Sequence, residues 1–334
     1  MSTEIAVVIG AGSIGVAIAR RAAVGRTLLL ADRDREAMEA VAARLRTEGY
    51  EVATRPLDIA DPTAVQALAE EAAALGDITR VVIAAGVSPV QASTQRVLAV
   101  DLAGTAHLLE EFGRVIAPSG SGLVIASMAG HMGEGCPRQL EHTLAQTPAA
   151  QLLDLPELAP EMVGDSGAAY TLAKHANALR VQAAAVTWGD RGARVNCLSP
   201  GIVSTPLAHE EMSGPNAEGY AAMIRTSPVG RMGTPAEIAH VAAFLLGPDG
   251  AFITGSDLLL DGGVIAAMRA GRLGWAGTAA PTPHHRSGAG PVASSARARY
   301  GPVTDAGSRA TSDGVPAAIT RPPSSPPPGP RSTT

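Results

Sequence analysis

The stretch "VVIGAGSIGVAIA", residues 7–19, decides the fold. Three apolar residues run into glycines at 10, 12 and 15, and an alanine-rich helical pattern follows at once. The spacing is GxGxxG between a strand and a helix: Gly10, Gly12 and Gly15 leave bare backbone, and Ser13 and Ile14 open the helix whose N-terminus can hold a pyrophosphate. Asp32 ends the next apolar run, close to the offset of about 20 residues at which a carboxylate accepts adenosine ribose hydroxyls. A plainer reading keeps the glycines as a tight turn and Asp32 as a helix cap; the full order of strand, glycines, helix and acid favours a nucleotide. The acid favours NAD, because it repels a ribose phosphate. Arg33 beside it keeps NADP open, since a guanidinium there can bind that phosphate or lie on the adenine face.

Outward from this stretch the pattern repeats. "EIAVVIG", "TLLLAD", "EVATRPLD", "ITRVVIAAG", "SGLVIASM", "ARVNCLSPG" and "DLLLDGG" read as short strands covered on both faces. Helical spacing appears in "DREAMEAVAARLRTEG", "DPTAVQALAEEAAALG", "AAYTLAKHANALRVQAAAVTWG" and "TPAEIAHVAAFLLG", with caps expected at Asp34 and Asp61. Alternation of this kind predicts an α/β fold, a doubly wound parallel sheet in one domain over residues 1–270. The alternation breaks once, at about 131–165, which reads as an insertion over one end of the sheet with small helices near 151–158. From Gly271 to Thr334 the composition turns to Pro, Gly, Ser and Arg and reads as a disordered tail.

The net charge is -5, yet the tail holds seven arginines against two aspartates, so the body is more acidic than the total suggests. Nucleic acid and anionic membranes, which reward clustered positive charge, are excluded as partners. No run approaches the about 18 apolar residues of a membrane span, and "MSTEIAVVIGAGSIG" shows no basic region followed by a long apolar run, so neither export nor membrane insertion is expected. Two cysteines, Cys136 and Cys197, form neither a disulfide framework nor a four-ligand zinc site and fit a reducing cytoplasm. His131, Cys136 and His142 are irregularly spaced, and no metal is expected.

Lys174 is the only lysine in the chain. It stands four residues after Tyr170 in a helical pattern, so the two side chains leave one face a turn apart. A phenol near pKa 10 is a poor base at neutral pH, and a neighbouring ammonium lowers its pKa by stabilising the phenolate.

With "YTLAK" in this position the chain resembles the short-chain dehydrogenase/reductase family, a Rossmann-type fold, over about residues 4–268. "GAGSIG" matches the family's glycine turn, "LDIAD" the strand end where Asp58 and Ile59 meet the adenine, and "IAAG" the passage formed by Ala84, Ala85 and Gly86. "VIASMAG" carries the catalytic serine over to Ser127. "ARVNCLSPGIVSTPL" matches the nicotinamide segment, with Pro200, Gly201, Val203 and Thr205. The resemblance implies that Tyr170 exchanges a proton with the substrate oxygen, Lys174 lowers its pKa and bonds the nicotinamide ribose, and Ser127 orients that oxygen while hydride passes to or from NAD(P). It further implies a homodimer or homotetramer.

The turn lacks the family's usual preceding threonine and first glycine, "IAAG" lacks its asparagine, and two further departures bear on function. The family's fourth catalytic residue, an asparagine anchoring a water-mediated relay, is here Asp101, an acceptor that cannot donate as an amide does. A working relay with altered pH dependence is expected. The enlarged segment between Ser127 and Tyr170, an offset of 43 positions, resembles the branch of hydroxysteroid and coniferyl-alcohol dehydrogenases. Six acids and one arginine in 131–165 suit a neutral, rather apolar secondary alcohol or ketone better than acyl carriers or sugar phosphates. Residues after the nicotinamide segment, with Met212, Tyr220 and Met223, resemble a substrate loop. The rival from another class is a dinucleotide-sensing regulator without turnover; an epimerase or dehydratase would need a larger C-terminal substrate domain.

Overall fold

A strand with apolar side chains on both faces is stable only if both faces are covered, and β1 (Glu4–Ile9), apolar from Ile5 onward, meets that condition. Ile5, Val7 and Ile9 enter one core and Ala6 and Val8 another, all of them fully buried. The computed structural model describes residues 2–132, 135–214 and 216–273. Beyond Leu273 the segment read as a tail lies outside the described residues.

Seven parallel strands follow the order β3-β2-β1-β4-β5-β6-β7. After β1 they are β2 (Thr27–Asp32), β3 (Glu51–Pro56), β4 (Asp77–Ile83), β5 (Ser121–Ile125), β6 (Arg194–Pro200) and β7 (Asp257–Leu260). They coincide with the seven apolar runs of the sequence. The helices are α1 (Ser13–Ala22), α2 (Arg35–Thr47), α3 (Pro62–Leu75), α4 (Thr94–Val97), α5 (Thr105–Val115), α6 (Arg138–Gln146), α7 (Pro160–Val163), α8 (Ser166–Gly189), α9 (Pro206–Glu211), α10 (Ala217–Thr226), α11 (Pro235–Leu246) and α12 (Val264–Arg269). One face of the sheet is covered by α1, α2 and α11, the other by α3, α5 and α8. This is the doubly wound Rossmann arrangement, and the expected caps are present: Asp34 accepts from Ala37 N, and Asp61 from Thr63 N and Ala64 N.

The strand order reverses between β1 and β4, and a ligand crevice is expected beyond their carboxyl ends. Two glycines make that crevice possible. Gly10 sits at φ +105°, and a Cβ there would stand 2.6 Å from Ala85 N. A Cβ on Gly15 would stand 1.9 Å from Gly10 O, so the turn closes against α1 only without one.

The segment read as an insertion is packed rather than loose over its described residues. It forms α6, 3-10 turns at Ala149–Asp154 and Pro156–Leu158, and α7. Leu144, Leu152 and Leu158 are buried against Val97, Leu98, Leu102 and Ala106 on one side and Ala169, Ala173 and Ala176 of α8 on the other. Arg180 of α8 donates to the carbonyls of Leu144 and Thr147, both at 2.8 Å, and so caps α6, while its other amine reaches Glu110 at 3.0 Å. Between α4 and α5 the chain widens into a π-helical stretch, Leu98–Gly104, a local insertion that often marks functional sites. Asp101 lies in its centre.

Candidate active site

The glycine turn offers a nucleotide both space and donors. A Cβ on Gly12 would meet no atom within 4 Å, so packing does not require glycine there, and the bare backbone faces open space. α1 has neither a side-chain cap nor an acid in its first turn, so the first N–H groups, from Ser13 and Ile14, stay free for an anion. Asp32 accepts from Ala11 N at 2.7 Å through one oxygen and from Asp34 N at 2.9 Å through the other. The carboxylate thereby fixes the turn it would serve. These features fit the diphosphate and ribose of a dinucleotide.

Around the adenine region the structure modifies two of the expected residues. Asp58 is held by Ala60 N and by Arg96, whose amine lies 2.8 and 3.0 Å from its two oxygens. Burial works against ionisation of Asp58, but the Ala60 N–H and the Arg96 guanidinium prevail and hold its carboxyl below the usual range. Ile59 is 4% exposed and packs against Gly104, so its side chain belongs to the core. Arg33 is exposed beside them. Arg96 was not anticipated, because no spacing rule connects it with Asp58 across 38 residues.

The residues expected to be catalytic lie together at the carboxyl ends of β4, β5 and β6. Ser127 follows β5, its Oγ accepting from Ala129 N at 3.2 Å. Tyr170 and Lys174 lie near the start of α8, which Asp165 caps by accepting from Ala168 N at 2.8 Å. Gly130 brings these two elements together, since a Cβ there would stand 2.8 Å from His175 N and from Lys174 C. Ala84, Ala85 and Gly86 continue β4 toward Lys174, and a Cβ on Gly86 would stand 2.6 Å from Asp101 Oδ1 and 3.3 Å from Lys174 Nζ. Pro200 ends β6; Gly201 packs against Asp261, Val203 bridges to Gly233, and Thr205 caps α9 by accepting from Ala208 N at 3.2 Å.

The electrostatics depart from the sequence expectation. Lys174 Nζ stands 2.8 Å from Asp101 Oδ1, with the two side chains 5% and 0% exposed, and Val87 N donates to the other Asp101 oxygen at 3.2 Å. Burial alone would lower the Lys174 pKa, but the Asp101 carboxylate overrides it and holds the ammonium well above its ordinary value. Nζ also lies 5.2 Å from the Tyr170 ring centroid. The Tyr170 phenol is raised rather than lowered: burial pushes it up, and the opposing pull of Lys174 and of the Ser127 hydroxyl is partly offset by Asp101 and Glu211. The physical reason is burial of the phenol first, with the Asp101 carboxylate adding to it by offsetting part of the lysine's pull.

The segment that resembles a substrate loop supplies a further group. Glu211, at the end of α9, accepts a short hydrogen bond from the buried Ser88 hydroxyl, and Gln91 donates to the adjacent Glu210 at 2.8 Å. The Tyr220 phenol is pushed up by burial and by Glu211, which accepts a hydrogen bond from its hydroxyl. Met223 packs beside Met128 and α12. Of the histidines and cysteine set aside as a metal set, His131 pairs with Asp257 at 2.8 Å and stands apart from Cys136.

A family model described as "short chain dehydrogenase" matches residues 4–137, and one described as "Enoyl-(Acyl carrier protein) reductase" matches residues 136–265. The short-chain dehydrogenase/reductase bsc3 of Alternaria brassicicola is 40% identical over 269 residues, 80% of this chain and 98% of the relative. Galactitol 2-dehydrogenase (L-tagatose-forming) of Cereibacter sphaeroides is 32% identical over 270 residues, 77% of this chain and 93% of its own. Among solved structures, a short-chain dehydrogenase/reductase from Serratia marcescens BCRC 10948 superposes with a TM-score of 0.61 at 25% identity, covering 79% of this chain and 98% of that one. The chain belongs to the short-chain dehydrogenase/reductase family and is an NAD(P)-dependent oxidoreductase acting on CH–OH groups. No helix among the described residues is long and apolar enough to cross a membrane.

Proposed function

We propose that the protein interconverts a secondary alcohol and a ketone of neutral, rather apolar character, with NAD in preference to NADP. The observation that carries this reading is the convergence of Ser127, Tyr170 and Lys174 at the end of the crevice that the Gly10–Gly15 turn opens. The dinucleotide, when bound, accepts or supplies hydride at its nicotinamide. Asp32 selects the unphosphorylated ribose, and the free N–H groups of Ser13 and Ile14 bind the diphosphate. Pro200, Gly201, Val203 and Thr205 shape the nicotinamide end.

The Tyr170 hydroxyl gives its proton to a ketone oxygen, or its phenolate takes one from an alcohol, and the Ser127 hydroxyl orients that oxygen. With its pKa raised, Tyr170 stays protonated at neutral pH, the form that ketone reduction uses, whereas alcohol oxidation uses the phenolate and gains as pH rises. Lys174, held by Asp101, positions the ribose and limits how far Tyr170 rises. Glu211 places a carboxylate beside the substrate loop and disfavours anionic substrates. Galactitol and cyclic-alcohol dehydrogenases among the relatives support an alcohol substrate.

An assay of hydroxysteroids, aromatic alcohols and cyclic alcohols and their ketones, with NAD(H) and NADP(H), tests the reading through absorbance of the reduced cofactor. Turnover at full rate in Tyr170→Phe overturns the mechanism. The buried Asp101–Lys174 pair favours a second reading, a dinucleotide-binding regulator without turnover. Tight NADH binding with no turnover on any pair would select it.

A homo-oligomer in the cytoplasm completes the proposal. β7 is an edge strand, Leu258 on it is 41% exposed, and Phe252 just before it is fully exposed. An open, apolar edge is a natural place for a second copy to pair. Light scattering that gives a monomer would refute this part.

A further inference from the structure

The insertion meets the catalytic helix at a cluster unrelated to proton transfer. Cys136 precedes α6, Glu141 lies on its first turn, and His175 directly follows Lys174 on α8. We propose that Cys136 Sγ, a Glu141 carboxylate oxygen and His175 Nε2 bind one divalent cation of the zinc class, which ties the insertion to the catalytic helix. The three donor atoms lie within 4.8 Å of one another, and the residues are half-buried. Atoms so spaced share a centre no more than about 2.8 Å from any of them, and small side-chain rotations bring that to zinc–ligand lengths of about 2.0–2.3 Å.

The hydrogen bonding of His175 points the same way. Its Nδ1 lies 3.2 Å from Gly130 O, and its Nε2 lies 3.1 Å from Glu141 Oε1, so both ring nitrogens face acceptors. A neutral imidazole can donate from only one of them, which leaves a lone pair aimed at an oxygen. A cation between Nε2 and Glu141 removes that conflict, and the Nδ1–H bond to a backbone carbonyl is the usual support of a metal-bound histidine.

A thiolate and an imidazole select a soft or borderline ion over magnesium or calcium, and a solvent molecule would complete four ligands. Binding turns the Cys136 thiol into a thiolate and releases one proton to solvent. The site differs from the set His131, Cys136 and His142 considered from sequence: it keeps the cysteine and replaces both histidines. The ion would sit against the turn behind Ser127 and one residue from Lys174, where it stabilises the site without touching the reacting atoms.

Titration of the full chain with Co(II), without cofactor or substrate, tests this independently of turnover. One equivalent should produce a near-ultraviolet thiolate-to-metal band and the strong visible bands of tetrahedral cobalt, all displaced by Zn(II). Zn(II) should also raise the Tm. Cys136→Ser should abolish the thiolate band, and Glu141→Gln should weaken binding about tenfold or more. Replacing His284 and His285 with glutamine should leave the spectrum unchanged. Absence of the band at equimolar Co(II), its survival in Cys136→Ser, or undiminished affinity in Glu141→Gln overturns the proposal; near-ultraviolet circular dichroism confirms that each variant is folded.

Discussion

Lys174 and Asp101 form a buried ion pair, Nζ 2.8 Å from Oδ1, held between the π-helical stretch at Leu98–Gly104 and the start of α8. The pair satisfies the ammonium before any ribose arrives. Burial raises the Tyr170 phenol, and with the lysine charge shared with Asp101 the pull of Lys174 does not bring it back down.

Asp101→Asn should move the pH–rate profile for alcohol oxidation toward lower pH. The sign follows from the groups: oxidation needs the phenolate, Asp101 raises the Tyr170 pKa, and an amide removes that contribution. Oxidation gains below the parent's alkaline limb, and ketone reduction loses its rate at a lower pH than before. An unchanged profile would mean that Tyr170 is not the titrating group. Asp101→Ala, which leaves Lys174 buried without a counter-charge, should cost about 3 kcal/mol or more in denaturant unfolding.

Lys174→Arg should fold but lose activity by about a hundredfold or more, read as kcat/KM. The space around Nζ is set by Gly86, whose added Cβ would stand 3.3 Å away, and a planar fork of donors cannot reproduce a compact ammonium there. Normal activity would reduce the solitary lysine to codon bias.

The glycines of the turn should separate by role. Gly12→Val should leave Tm nearly unchanged and abolish NADH binding measured by fluorescence, because the side chain meets no protein atom and fills the diphosphate space. Gly15→Ala should instead lower Tm sharply, since its Cβ would collide with Gly10 O. Equal effects on Tm would contradict a nucleotide role for Gly12.

Glu211→Gln should raise KM more than it lowers kcat and should improve turnover of acidic alcohols relative to neutral ones. The carboxylate accepts from Ser88 across 123 residues and also faces Tyr220 and Tyr170. Steady-state kinetics on a matched neutral and anionic pair of substrates decides it, and an unchanged ratio removes Glu211 from the substrate pocket.

The sequence by itself determined the sheet and the glycine turn, and it singled out the candidate catalytic side chains. Those features are local: strands follow from contiguous apolar runs, the turn from glycine spacing, caps from Asp34 and Asp61, and the Tyr170–Lys174 pair from helical period. Tertiary structure alone decided their charges. Asp101 reads in sequence as a substituted relay residue, and only the packing of a π-helical stretch against α8 makes it the counter-ion of Lys174. The same holds for Glu211 at Ser88, Arg96 at Asp58, and His175 between Gly130 and Glu141. Each joins residues far apart in the chain, and its strength comes from desolvation, which exists only once the surrounding elements have closed over the pair.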